Sequence, residues 1–414
     1  MSSKPMSSKP MSSKPMPSNL SQRSSLTFLV ITVLTFLAAS SAPTPLYQVY
    51  QDNLHFSAAM LTLIFAVYAV SLLAALLTVG SLSDYVGRKP VIFVALVLNI
   101  VAMLLFINAD STACLIAARA LQGFATGTAT AVLGATLLDT DRLRGPMLNS
   151  LAPMLGMASG GLGSGLLVEY APWPTQLIYF ALLGLMMLQA LYVWRLPETV
   201  SRIPGALKSL APTLHVPKQA RRALALAMPL NVAVWALGGF FSSLAPSLVR
   251  AATGSTSHLI GGGLVAVITL SGAVMIYSLR EHPADKVMRL SAVLLATGVA
   301  LLLVAVQSAS LWLFFAASVV AGLGFGGGFM GSVRSIVGLA LPHERAGLMS
   351  AFYVLSYLAF CLPALLAGNL SREFGLIATT DAYGALIILL AVGALAGLAW
   401  QRTPVPNICK TDNC

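Results

Sequence analysis

The sequence predicts an all-α integral membrane protein with twelve spanning helices arranged as two six-helix, pseudo-symmetric halves. Three observations lead there. The 414-residue chain is 57% hydrophobic and only 9% charged, with a mean hydropathy of +0.85, whereas soluble domains carry about 25% charged residues. Apolar runs of roughly 18 residues or more, long enough to cross a bilayer, follow one another almost without pause. All but three of the 24 Lys and Arg residues fall in alternate connections or in the tails, the bias that sets orientation in a membrane.

At the amino end, Met-Ser-Ser-Lys-Pro occurs three times from Met1 to Pro15. Such a composition cannot bury apolar surface, so residues 1–25 are expected to form a disordered tail. The first apolar run competes with a signal-peptide reading. Further spans follow at once, and cleavage would leave eleven helices, so it is taken as the first span. The runs are 26–46, 57–79, 91–108, 113–138, 146–168 and 174–194, then 223–249, 258–279, 287–306, 311–334, 346–368 and 380–400. The amino-terminal half is thus 26–194, the carboxy-terminal half 223–400, and 401–414 a tail. Between the halves, 195–222 carries Arg195, Arg202, Lys208, Lys218, Arg221 and Arg222 and reads as a basic cytoplasmic linker. With both termini inside, only Arg250 and Arg372 lie outside, and Arg119 is embedded.

The halves echo each other. An offset of 201 residues places Asp84 on Asp285, Arg88 on Arg289 and Arg144 on Arg345. Parallel repeats of this kind occur in transporters built from two like halves.

The stretch Gly80-Ser-Leu82-Ser-Asp84-Tyr-Val-Gly87-Arg88-Lys89-Pro90 is a compact charged turn between two spans. It resembles the signature loop between the second and third helices of the major facilitator superfamily, G-x-L-a-D-r-x-G-r-k. Gly80, Leu82, Asp84, Gly87, Arg88 and Lys89 match as they stand, and Tyr85 replaces a basic residue. The resemblance implies a solute transporter in which Gly80, Asp84, Gly87, Arg88 and Lys89, with Asp285 and Arg289, form a conformational switch. Asp84 is expected to latch onto a helix amino terminus of the other half, near Gly347–Ser350. A plain topogenic loop would need only the basic pair.

Arg119 lies well inside the fourth run, where a charged group costs at least about 2.5 kcal/mol and marks a functional site by default. Gln122, one turn later, shares its face. Arg119-Ala-Leu-Gln122-Gly123 looks like the family's fourth-helix motif R-x-x-q-G, which implies assistance to proton transfer; the competing reading is a structural arginine tied to carbonyls. All thirteen acidic residues fall in loops, tails or helix ends, so Asp139 is the nearest candidate carboxylate for coupling to Arg119.

Gly156-x-x-x-Gly160-Gly161-x-Gly163-Ser164-Gly165 resembles the fifth-helix motif of facilitator exporters, with Gly161 in place of proline. Gly156, Gly160, Gly161 and Gly165 equally suit close helix packing. Gly322-Leu-Gly324-Phe-Gly-Gly327 matches a dinucleotide pattern but lacks the strand such a site requires; it reads as packing glycine in the tenth run. Tyr47, Tyr68, Asn231, Trp235, Phe240 and Tyr357 are the candidate linings of a cavity suited to neutral or amphiphilic ligands.

The five histidines and four cysteines form no metal or disulfide pattern, and no catalytic cluster lies at one depth. No metal, cofactor or nucleic-acid partner is expected, despite the net charge of +11. A proton gradient is the candidate energy source. The expected protein is a monomeric, multi-pass secondary transporter of a bacterial inner membrane. It works by alternating access and exports small hydrophobic or amphiphilic compounds. Nutrient uptake is the alternative direction, and a ligand-binding sensor that moves nothing is the alternative class.

Overall fold

The computed structural model describes residues 19–212, 214–341 and 344–400. The expectations for most of the amino-terminal tail and for the carboxy-terminal tail fall outside these residues. Twelve helical segments of the described chain are long and apolar enough to cross a membrane.

The first span is two helices, α1 (Asn19–Ser41) and α2 (Pro43–Leu54). Helix therefore begins at residue 19, inside the stretch expected to be disordered. Pro43 and Pro45 lack the N–H that would continue α1, which sets the break. The half continues with α3 (Ala58–Thr78), a single-turn α4 (Leu82–Val86), α5 (Arg88–Ile107), α6 (Thr112–Thr140), α7 (Gly145–Tyr170) and α8 (Leu177–Tyr192).

The second half repeats the plan. The helix α9 (Lys218–Ser243) breaks before α10 (Ala245–Thr253), where Pro246 stands in the first turn. Then come α11 (His258–Ser278), α12 (Ala284–Gln307), α13 (Leu311–Val337), α14 (Arg345–Phe374) and α15 (Leu376–Trp400). Ser57, Ser111 and Ser310 accept the N–H three residues on and cap α3, α6 and α13, covering amides that a helix start leaves unbonded.

Each half closes four helices into a ring around its own apolar core: α1, α6, α5 and α8 in the first, α9, α13, α12 and α15 in the second. The remaining long helices join the halves, α7 against α11 and α3 against α14. Large apolar side chains such as Leu188, Leu191, Leu366 and Leu389 stay exposed on the outside, which suits lipid rather than water. Trp173, Trp194, Trp312 and Trp400 stand exposed at span ends, the placement of an interfacial belt.

Small residues let these helices touch. On α7, a methyl group at Gly156 would meet the Leu34 backbone oxygen of α1 at 2.7 Å, and one at Gly161 would meet Val265 of α11 at 3.0 Å. Gly160 and Gly165 repeat the two faces, against Ala38 and His258. Gly322, Gly324 and Gly326 of α13 lie against Ile268, Leu295 and Gly272. The apparent dinucleotide pattern is a packing surface.

Candidate functional site

The break between α1 and α2 prepares the polar centre of the first half. With no N–H on Pro43, the carbonyl of Ala39 four residues back loses its helical partner. The Gln122 side chain supplies one, its Nε2 donating to Ala39 O at 2.9 Å. Gln122 Oε1 in turn accepts from Arg119 Nη1 at 2.6 Å, and the same nitrogen donates to Ser40 O at 3.1 Å. Arg119 Nε donates to the Tyr47 hydroxyl at 2.8 Å, and Nη2 donates to that oxygen as well.

Three rings surround the cation, with Cζ 5.3 Å from the centroid of Tyr47, 5.1 Å from Tyr68 and 5.9 Å from Phe106; cation–π attraction at such distances strengthens where water is excluded. Arg119 is 1% exposed. Among the described residues no carboxylate pairs with it, so neutral oxygens and π faces hold this charge. Tyr68 donates to Ser40 Oγ at 2.9 Å, tying α3 to the same turn.

Asp139, expected near Arg119, is elsewhere. The two share α6 but lie twenty residues apart, about 30 Å along a helix. Asp139 instead accepts from Arg88 Nε at 3.1 Å and from Thr199 Oγ1 at 3.1 Å. The coupling trio of Arg119, Gln122 and Asp139 is therefore a pair plus a distant carboxylate.

The switch loop is built around Arg88, 7% exposed. Its Nη1 lies 2.5 Å from Asp84 Oδ1 and donates to Ser83 Oγ at 2.6 Å. Glu198 accepts the backbone N–H groups of Arg88 and Lys89 at 2.8 and 3.2 Å, placing an anion at the start of α5, where the helix dipole favours one. Lys89 Nζ donates to Trp194 O and Leu196 O, just past α8.

The expected latch between Asp84 and α14 is not made: among the described residues no hydrogen bond or ion pair joins loop 80–90 to α14. Asp84 is held inside its own half because Arg88, one turn away, is the nearer charge. The inter-half segment lies where the latch was expected. Ile203 N–H donates to Tyr85 O at 3.0 Å, Ser81 Oγ to Ser209 O at 3.0 Å, and His215 N–H to Gly347 O at 3.4 Å. Glu198, Thr199 and Ser83 were not singled out from the sequence. A carboxylate following a proline just past a span was the available signal, but no spacing rule tied it to residue 88.

At the opposite end the halves bond to each other directly. Arg250 Nη1 lies 2.9 Å from Asp52 Oδ2, Thr44 Oγ1 donates to Ser242 O at 3.2 Å, and His258 N–H donates to Glu169 Oε2 at 3.0 Å.

Between these two ends lie most of the expected lining residues. Trp235 of α9 sits 4.7 Å from Tyr357 and 5.7 Å from Phe360, both on α14, and 5.9 Å from Phe329 on α13. Phe360 meets Phe65 of α3 at 4.8 Å, so this aromatic cluster crosses the line between the halves. Asn231 lies one turn from Trp235, fully buried, with Nδ2 donating to Ser356 Oγ at 2.8 Å. Two expected linings lie apart from it. Phe240 is buried against Phe241 and Tyr383 within the second half, and Tyr47 is committed to Arg119.

The repeat partners Asp285 and Arg289 stand on the first turns of α12. Arg289 donates to Leu398 O, and its Nε is buried without a partner. Beside them a cavity of about 460 Å³ opens among α9, α12, α13 and α15, lined by Arg222, Gln219, Asp285, Ser335 and apolar neighbours.

Residues 28–282, more than half of the chain, match the family model described as Major Facilitator Superfamily. The chain belongs to the major facilitator superfamily. Among curated proteins it is 32% identical over 154 residues to the multidrug resistance protein MdtL of Klebsiella pneumoniae (strain 342), a match covering 36% of this chain and 38% of that one. It is also 32% identical over 159 residues to the MdtL protein of Escherichia coli O81 (strain ED1a), covering 37% and 40%. The match thus spans less than half the length of these relatives.

Solved structures agree over nearly the whole superfamily fold. A point mutant of the nucleoside transporter NupG superposes with a TM-score of 0.71 at 13% identity, covering 90% of this chain and 99% of that one. A bacterial homolog of the human lysosomal transporter Spinster, in an inward-facing and unoccupied conformation, gives 0.72 at 14% identity, covering 92% and 98%. The human organic anion transporter MFSD10 gives 0.61 at 19% identity, covering 92% and 100%. At these identities the agreement is one of fold.

Proposed function

We propose that this protein is a secondary transporter that works by alternating access and exports small hydrophobic or amphiphilic compounds across a bacterial inner membrane. The observation that carries the proposal is the unequal treatment of the two ends. At one end α2 and α10 bond the halves directly. At the other, the charged loop 80–90 is engaged within its own half and with the inter-half segment. Polar bonds between the halves thus gather at one end, while toward the other Leu151 and Met154 of α7 meet Ala273 and Ile276 of α11 through apolar contact; two ends held by different means accord with a transporter that opens them in turn.

Membrane placement follows the basic residues, which put loop 80–90, the inter-half segment and both termini on the cytoplasmic face. The end joined by polar bonds then faces outward. Arg119 supplies a fixed positive charge beside Tyr68. The MdtL relatives carry multidrug resistance in their names, which favours export of diverse apolar compounds over uptake of one nutrient.

The test is flux of a fluorescent apolar dye in inverted membrane vesicles, with and without an imposed pH gradient. Accumulation that depends on the gradient supports export coupled to protons. Accumulation only in right-side-out vesicles would reverse the direction, and no flux in either would leave a sensor. Arg119→Lys keeps a charge but loses the planar fork that joins Tyr47, Gln122 and Ser40. If Arg119 serves coupling, this variant exchanges dye passively and fails to concentrate it; if its role is structural, both activities fall together with the amount of folded protein.

A further inference from the structure

Two polar atoms in the aromatic cluster have no partner. Asn231 uses its Nδ2 on Ser356, whose hydroxyl in turn donates to Phe352 O at 2.8 Å. Asn231 Oδ1 is left buried and unbonded, and so is Trp235 Nε1. One is an acceptor and the other a donor, a single helical turn apart on α9. Buried polar groups are nearly always paired, and an exception needs an explanation. Here both fall on the ring-lined surface where α9, α13 and α14 approach α3. Trp235, Tyr357, Phe360 and Phe329 are each only half-buried, so their faces are not all consumed by packing.

The charge of the surroundings is equally specific. The ionic group nearest mid-depth among the described residues is Arg119, whose partners are all neutral. It lies behind Tyr68, 5.1 Å from that ring, and Ala66 and Ala69 of the same helix pack on Tyr357. No described carboxylate on α9, α13 or α14 lies at this depth to offset it. A cation entering here would give up its water with no described carboxylate to pair with, and burying an unpaired charge is costly. The attraction of ring faces, about 2 kcal/mol where water is excluded, offsets only part of that cost.

We infer that this site, taken as the transport site proposed above, selects neutral planar aromatic compounds that present a hydrogen-bond acceptor to Trp235 Nε1 and a donor to Asn231 Oδ1, and that it discriminates against organic cations. The rings supply stacking, and the lack of a described carboxylate at this depth sets the charge rule. The unpaired donor and acceptor set orientation, since a site built to bond a polar group rejects analogues that lack it.

The test is equilibrium binding to the purified full chain in nanodiscs with three planar probes. 7-Amino-4-methylcoumarin is neutral and has both a carbonyl acceptor and an amine donor, 4-methylcoumarin lacks the donor, and ethidium is a permanent cation. The aminocoumarin is expected to bind about tenfold tighter than 4-methylcoumarin, with ethidium weakest. Trp235→Phe keeps a ring and removes the donor, and should weaken both coumarins about tenfold. Asn231→Leu should weaken the aminocoumarin alone, erasing its advantage over 4-methylcoumarin.

Thermal unfolding of each variant identifies misfolded protein, and Trp235→Phe carries the test if Asn231→Leu does not fold. Ethidium binding as tightly as the aminocoumarin, or affinities unchanged in Trp235→Phe, would overturn the inference. Selective binding without flux in vesicles would sink the transport reading and leave the selectivity standing.

Discussion

The same four-residue frame, Asp-x-x-x-Arg, opens α5 in one half and α12 in the other, and the two ends are finished differently. In the first half Arg88 holds Asp84, Ser83 and Asp139, while Glu198 caps the helix from beyond α8. In the second half Arg289 reaches one carbonyl, keeps a buried unpaired Nε, and borders a cavity of about 460 Å³. The 201-residue offset shows what changed: Ser83, Gly87 and Asp139 correspond to Ala284, Met288 and Ala340. The frame is the same, while the residues that correspond to Ser83, Gly87 and Asp139 differ. An arginine gains its fixed position from the oxygens around it, and motif identity alone does not supply them. The first half also gains a segment that crosses beneath it from Leu196 to Gly347.

The comparison breaks most easily at the two arginines. Arg88→Met removes the shared partner of Asp84, Asp139 and Ser83; because the two carboxylates are 52% and 35% exposed, solvent screening brings the loss below the roughly 3–5 kcal/mol of a fully buried pair. Arg289→Met removes a single hydrogen bond, worth about 1–2 kcal/mol. Thermal unfolding in detergent should therefore show a larger loss for Arg88→Met, which gives up three side-chain partners against one. Equal losses would mean the two frames are energetically alike.

Gly87 sharpens the same contrast. Its φ of +99° and ψ of 155° lie in a region open essentially to glycine, and a side chain there costs roughly 1–3 kcal/mol. An added methyl would also stand 2.8 Å from Glu198 Oε2. Gly87→Ala should lower the unfolding temperature and expose the 196–199 segment to limited proteolysis. Unchanged proteolysis would show that Glu198 is not held by this turn.

Glu198→Ala removes the anion from the start of α5 and should cost about 1 kcal/mol, less than either change at Arg88 or Gly87. Slower amide exchange at Arg88 and Lys89 in the wild type than in the variant is the expected signature, and equal exchange would remove the capping role.

The smallest effect is expected at Asp141, whose counterpart by the offset is Pro342. The backbone N–H groups of Arg144 and Leu143 donate to its Oδ1 at 2.9 Å, and the Arg144 bond foremost holds its carboxyl below the usual carboxylate range. A depressed carboxyl contributes stability above the ordinary aspartate value of about 3.9 and loses it as pH falls through the folded value. Asp141→Asn should thus be slightly less stable than wild type at pH 7, with the difference shrinking as pH falls below about 3.9. A difference that does not vary with pH would exclude the charge as its source.

The order of the twelve spans, their division into halves and the buried Arg119 were legible in the sequence, because bilayer thickness imposes a minimum apolar length and burial makes a charge conspicuous. The Asn231–Trp235 pair was legible as well, since a four-residue spacing fixes a shared helix face. Partner choice was not. Whether Asp84 faces α14 or Arg88, and whether Asp139 serves Arg119 or Arg88, depends on which groups lie within about 3 Å once helices pack. Such proximity arises from chain segments far apart in number, as with Glu198 and Arg88, and no local period encodes it. The sequence by itself determined how many spans there are, their order and which residues are costly to bury. The tertiary structure decided which oxygen meets each cation, because a hydrogen bond or ion pair is decided by final distances, whereas an apolar span is decided by length and composition.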